Sequence, residues 1–237
     1  MLASSYEKIS YLDLLEFQKK NTSKLHVLQE YCPVFNHSSL HPKLKFSDTK
    51  RFCEGQIFEI SRKYLSLFGF PAYGVHCNVW SKVGNTTLIH FGQRSGKLKS
   101  FPKHLDNAIA GGQPVKLSIL DNLKKEAFEE AGLKSEKLNF LKKGNTVHYN
   151  HNNKDRLISG IIFNYHLQKD AEMNLKNIDG EVEQFISLPI FDIYQILEKK
   201  ILKPNCIIPI LDFLILNNYE FLTKGTIVEL KKELRIL

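Results

Sequence analysis

The stretch that decides the fold runs from residue 111 to residue 133 and reads GGQPVKLSILDNLKKEAFEEAGL. Two glycines open it, Glu126, Glu129 and Glu130 crowd its end, and Gly132 closes it. Ser118 is a candidate N-cap with Asp121 three residues on, a variant of the capping box. Gly132 falls at the C′ position, where left-handed backbone ends a helix. Between these signals Leu120, Leu123, Ala127 and Ala131 recur at helical spacing and form an apolar stripe. The three glutamates fall on the neighbouring face, about a quarter-turn away. Like charges three and four residues apart repel by about 0.2–0.5 kcal/mol per pair on an exposed helix. The expectation is a helix that packs through its stripe and carries an acid cluster without a partner cation in the sequence.

A cation from solution would relieve that repulsion. Magnesium takes oxygen ligands, usually a few carboxylates with waters and substrate phosphates. The two glycines upstream let backbone groups approach the same place. A divalent ion then polarises a phosphoryl oxygen and lowers the pKa of bound water. The plainer alternative is a solvated acidic face, which an isolated short motif favours. The order strand, double glycine, capped helix, three acids and glycine stop points the other way.

Composition sets the frame. The chain has 237 residues, enough for a substantial core. Lysine and arginine outnumber aspartate and glutamate by 33 to 25, a net charge of +8. That excess favours anionic partners such as phosphates. It is spread along the chain rather than gathered in a stripe, which argues against nucleic-acid binding. Cys32, Cys53, Cys77 and Cys206 form no CxxC pair, so they read as reduced buried thiols rather than a zinc site. The start has no continuous apolar h-region and the chain no run of about 18 apolar residues, so neither a signal peptide nor a transmembrane helix is expected. A cytoplasmic setting follows as the expectation.

Along the chain, residues 10–20 have helical apolar spacing and 31–50, with Pro33 and Pro42, read as loop-rich. Residues 56–60 predict a short strand and 61–70 a helix stopped by Gly69 and Pro71. YGVHCNVWS (73–81) alternates, Gly84-Asn85 is a hairpin turn, and TTLIHF (86–91) is the return strand. Strands are expected at 145–150, 156–167 and 181–188, and helices at 191–200 and 206–216, the last interrupted early by Pro209. Strands flanked by helices predict an α/β fold with a mixed sheet sandwiched between helices.

The stretch 111–133 resembles a Nudix box, G-x5-E-x7-R-E-U-x-E-E-x-G-U, with U a bulky aliphatic residue. Gly111, Glu126, Glu129, Glu130, Gly132 and Leu133 match it. Leu117 stands at the first glutamate of the box, Lys125 at its arginine, and Ala127 is smaller than usual. Similar departures occur in one branch, the Nudix domain related to that fused to fungal thiamine pyrophosphokinase. Its pattern, approximately GG-x-x-x-G-L-S-x-x-E-N-x-x-K-E-A-x-E-E-A, is followed here with Lys116 for glycine and Asp121 for glutamate. FGFPAYGVHCNVW (68–80), QRSGKLKSFPKHLDNAIAGG (93–112), 179–190 and 202–215 resemble further blocks of that branch in the same order.

The resemblance implies a Nudix fold over 73–237 and a small α/β N-terminal subdomain over 1–72. It implies Mg²⁺ (or Mn²⁺) held by Glu126, Glu129, Glu130 and the Gly111 carbonyl, with Glu181 or Glu183 as a further acid. Lys125 would orient a glutamate, though a lysine cannot copy the bidentate geometry of arginine. Arg94, Lys97 and Lys103 are candidates to clamp a diphosphate. His76 and His104 read as hydrogen-bonded structural residues, with substrate contact or acid–base work as the alternative, and Trp80, Phe91 and Phe101 as core, with stacking on a substrate ring as the alternative. The implied activity is hydrolysis of a small-molecule diphosphate, thiamine diphosphate or an oxidised derivative. The alternatives are an 8-oxo-guanine or other nucleoside di- or triphosphate and a non-catalytic binding module. No membrane or nucleic-acid partner is expected. Residues 1–72 would shape the pocket or pair two chains as a homodimer.

Overall fold

The computed structural model describes residues 31–35, 46–52, 56–153, 156–219 and 222–234. The helix expected at 10–20 lies outside them, as do Cys53 and parts of the 31–50 stretch. Strands β1 (Tyr31–Phe35) and β2 (Gln56–Ser61) form an antiparallel two-stranded sheet. The loop expected at 31–35 is therefore a strand. A two-stranded ribbon leaves each strand an edge, where proline is tolerated, and Pro33 sits there. The helix expected at 61–70 is a 3₁₀ helix over Arg62–Leu67, with Gly69 beyond it at φ +70°.

The larger sheet is mixed and has seven strands. They are β3 (Ala72–Val83), β4 (Thr86–Arg94), β5 (Leu105–Asn107), β6 (Ile109–Gly112), β7 (Leu141–Asn153), β8 (Arg156–Gln168) and β9 (Val182–Pro189). Its central path is β5-β4-β3-β8-β7, with β6 beside β3 and β9 beside β4. β3 and β8 run parallel, and the other pairs are antiparallel. The hairpin at Gly84-Asn85 forms as expected, with Gly84 at φ +58°.

Helices cover both faces. α1 (Ile119–Ala131) packs Ile119, Leu123, Ala127 and Ala131 against Val75, Cys77 and Val79 of β3 and Phe163 and Tyr165 of β8. Each Leu or Phe buried in this way contributes about 1.5–3 kcal/mol. Side chains alternate along a strand, so His76 and Asn78 of β3 face the opposite side. That side is covered by α2 (Ile193–Glu198) and α3 (Ile207–Leu216). Pro209 does not interrupt α3, because in the first turn its missing N–H forfeits no helical hydrogen bond. A last helix, α4 (Lys224–Glu233), has no counterpart in the sequence reading. Among the described residues no helix is long and apolar enough to cross a membrane. The three described cysteines, Cys32, Cys77 and Cys206, are buried and unbridged.

Candidate active site

β6 ends in Gly111 and Gly112, and the loop after it turns the chain into α1. Gln113 Nε2 donates to the Leu117 carbonyl at 3.0 Å, Ser118 Oγ accepts from the Asp121 N–H at 3.0 Å, and Asn122 Nδ2 donates to the Gly112 carbonyl at 2.8 Å. The helix ends as its sequence predicts. Gly132 takes φ 65°, its N–H reaches the Phe128 carbonyl, and the Leu133 N–H reaches that of Ala127. So fixed, α1 lays Glu126 over Gly111 and brings Glu130 to the Ala110 N–H just before it. A β carbon on Gly111 would collide with the Glu126 carboxylate, and one on Gly112 with the Arg62 guanidinium. Only glycine lets those groups come so close to the backbone.

Glu130 is the most enclosed of the acids, at 7% exposure. Its Oε2 accepts from the Ala110 N–H at 2.6 Å, and it has no ion pair among the described residues. Burial, and after it the charge of Asp106, holds its carboxyl well above the usual carboxylate range. Such a carboxylate is short of positive charge. Glu126 and Glu129 are placed differently. Lys125 Nζ donates to Glu126 Oε1 at 3.1 Å and to Glu129 Oε2 at 2.6 Å. Burial works against this ammonium, but the hydrogen bond to Glu129 and the charge of Glu126 outweigh it and raise its pKa. The expectation that the acids lack a cation is corrected here. Lys125 lies one residue from Glu126 and one helical turn from Glu129, so a single side chain reaches both.

Glu126, Glu129, Glu130, Gly111, Lys125, Arg94 and Glu181 all line one cavity of about 410 Å³. Lys97, Lys103 and Glu183 do not. Glu183 accepts from the Gly96 N–H at 2.8 Å and pairs with Lys103, and it faces a separate cavity beside His90 and Phe185. The Gly96 N–H, and then Lys103, lower its pKa. Phe91 is fully buried, Trp80 packs on Phe213, and Phe101 and His104 pack on each other outside the cavity.

Sequence reasoning missed Arg62, Tyr149, Lys203 and Asn205 of the cavity lining. Arg62 Nη2 donates to the Tyr73 carbonyl at 3.0 Å. Lys203 Nζ and Arg94 Nη1 both donate to Asp106 Oδ2 at 2.8 Å, and the Cys206 thiol donates to Oδ1 at 2.7 Å. Burial alone would raise the Asp106 pKa, but Lys203 and its other partners bring it down to about 2. Burial and the neighbouring Asp106 carboxylate push the Cys206 thiol up. A ring nitrogen of His76, a carboxylate oxygen of Asp106 and Cys206 Sγ lie within 4.8 Å of one another. A divalent ion there would compete with two cations that already neutralise Asp106, and it would need the Cys206 proton removed. The glutamate cluster offers only oxygen donors, one of them a buried carboxylate without a cation, and suits Mg²⁺ or Mn²⁺ far better.

No protein-family model matches the chain. Two Arabidopsis thaliana proteins are similar to it, Nudix hydrolase 20, chloroplastic, and Nudix hydrolase 24, chloroplastic. The first is 32% identical over 158 residues, covering 66% of this chain and 42% of the relative. The second is 29% identical over 158 residues, covering 66% and 43%. The match thus spans less than half the length of either relative. Among solved structures the chain is similar to a Deinococcus radiodurans protein, at 14% identity and a TM-score of 0.48, over 72% of this chain and 90% of that one.

Proposed function

We propose that this chain, whose matched segment is related to the Nudix hydrolase family, hydrolyses a diphosphate linkage in a small molecule. The carrying observation is the convergence of Glu126, Glu129, Glu130 and Gly111 on one cavity. In this reading the three carboxylates and the Gly111 carbonyl hold Mg²⁺ or Mn²⁺, with Glu181 as a further acid on the cavity wall. The ion supplies charge neutralisation and an activated water. Lys125 holds Glu126 and Glu129 in register. Arg62, Arg94 and Lys203 make the rest of the wall positive toward a diphosphate. Water adds to one phosphorus, the bond from that phosphorus to the bridging oxygen breaks, and each product keeps a phosphate.

Two substrate classes fit this wall. Sequence likeness to the plant hydrolases supports a nucleoside diphosphate-linked compound. The blocks at 68–80 and 93–112 support thiamine diphosphate or an oxidised derivative, giving the monophosphate. We also take residues 1–72 as an accessory subdomain that completes the pocket, since Arg62 reaches the cavity from it. The test is phosphate or monophosphate release from ADP-ribose, ADP, an 8-oxo-guanine nucleotide and thiamine diphosphate with Mg²⁺. Metal-dependent release from one member supports the reading, and none from any member rejects it. Lys125 closing on Glu126 and Glu129 favours a second reading, a binding module without catalysis. It predicts diphosphate binding that needs no Mg²⁺ and survives Glu126→Gln.

A further inference from the structure

A buried chain of hydrogen bonds runs from α3 to the cavity. Asn78 Nδ2 donates to the Pro209 carbonyl at 2.6 Å, and it also faces His166 Nδ1 at 3.3 Å. Asn107 Nδ2 donates to Asn78 Oδ1 at 2.8 Å, and His76 Nδ1 meets Asn107 Oδ1 at 2.9 Å. Behind them His166 Nε2 meets Asp212 Oδ2 at 3.0 Å. The same carboxylate accepts from the Asn145 N–H at 3.0 Å and from Asn145 Nδ2 at 2.6 Å. His76, Asn78, Asn107, His166 and Asp212 are all at most 4% exposed.

The polarity of this chain is forced. A carbonyl can only accept, so Pro209 fixes which end of the Asn78 amide is nitrogen. Asn78 Oδ1 then faces Asn107 and needs a donor, so Asn107 turns its nitrogen there. Asn107 Oδ1 is left facing His76 Nδ1, which must carry the proton. The other end agrees. Asp212 accepts, so the proton of a neutral His166 is on Nε2, and its bare Nδ1 suits the Asn78 nitrogen. With Nδ1 protonated, Nε2 of a neutral His76 is a bare acceptor. His76 lines the cavity. Its Nε2 lies 3.8 Å from the position a β carbon on Gly74 would take, and the Gly111 carbonyl lies 3.1 Å from the same point. No protein donor meets Nε2 among the described residues.

We propose that the Pro209–Asn78–Asn107 relay locks His76 as the Nδ1–H tautomer, so that the cavity presents a fixed acceptor selecting diphosphates with an O–H or N–H donor beside Gly74. This makes His76 a specificity residue and Asn78 and Asn107 its positioning residues. The ligand class rests on the hydrolase reading, and the tautomer does not. A site that hydrogen-bonds a substrate donor rejects an analogue lacking it, because its own polar group is left unpaired.

The test is long-range proton–nitrogen NMR of the histidine rings in the full chain at neutral pH, with His76 assigned by its loss in His76→Gln. The expected pattern is a pyrrole-like Nδ1 and a pyridine-like Nε2. A protonated Nε2 with a bare Nδ1 overturns the proposal. ADP and thiamine diphosphate are then titrated with Mg²⁺. An upfield shift of Nε2 supports donor selection. A response to ADP alone assigns the donor to the nucleoside, and a response to thiamine diphosphate alone to the aminopyrimidine. No shift with either overturns donor selection. In turnover, His76→Asn keeps a nitrogen donor toward Asn107 and loses the acceptor, so KM should rise roughly tenfold with kcat retained. His76→Gln, which returns an oxygen near the Nε2 position, should restore most of the loss, and equal damage by both variants counts against the role. An intact tautomer with no hydrolysis of any diphosphate would reject the hydrolase reading alone.

Discussion

At the residue scale, the candidate site depends on close approaches that only small side chains permit. Gly111→Ala would push the Glu126 carboxylate aside, since the new β carbon occupies its place. The carboxylate is the far end of a flexible side chain, so the fold should tolerate the change. We expect activity to fall up to about a hundredfold with little change in melting temperature, measured by initial rates and thermal unfolding. Asp106 gives a pH prediction. Its folded pKa, about 2, lies below the ordinary value of 3.8. It therefore stabilises the fold above pH 3.8 and loses that contribution as pH falls toward 2, about 2 kcal/mol in all. Urea unfolding at several acid pH values should show this slope, and Asp106→Asn should flatten it. The glutamates and glycines were legible because they are close in sequence and their spacing means chemistry. Arg62 and Lys203 were not, because they come from distant segments and only the fold brings them to the cavity. The sole hint of Lys203 was its place in the 202–215 block.

At the element scale, α1 was legible from cap to cap. Its apolar stripe, its serine and its terminal glycine each carry a local physical signal, and all three agree. Ser118→Ala removes the acceptor for the Asp121 N–H and should cost about 1 kcal/mol, read as a lower urea midpoint with unchanged slope. Other elements were harder. Tyr31–Phe35 becomes a strand through pairing with residues 56–61, a long-range contact that outweighs the local signal of Pro33. Pro209 looked like a break but sits where a helix has no hydrogen bond to lose. The charge on α1 was legible in part. The resemblance gave Lys125 the task of orienting one glutamate, and the helix geometry shows its ammonium reaching both Glu126 and Glu129.

At the scale of the whole molecule, two helical layers enclose one mixed sheet, and residues before the sheet are built into its core. Phe35, Phe46 and Phe52 pack edge-on or tilted against one another and against Tyr73, and Phe46 and Phe52 also meet Phe163. Phe52→Ala should therefore cost about 3–5 kcal/mol. Cavity and sheet should then unfold in one transition, followed by tyrosine fluorescence and far-ultraviolet circular dichroism. The mixed sheet and its helical cover were legible from alternating strands and periodic helices. The meeting of Arg62, Arg94 and Lys203 with the α1 glutamates in one cavity was not, because no local pattern encodes contacts between distant segments. The proposed hydrolysis needs the glutamate cluster to act through a divalent ion on a diphosphate. The most direct measurement is the Mg²⁺ dependence of diphosphate hydrolysis by the native chain and by Glu126→Gln and Glu130→Gln. Metal-dependent release should fall at least about a hundredfold in each variant, while both stay folded by circular dichroism. Release that is independent of Mg²⁺, or unchanged in both variants, would contradict it.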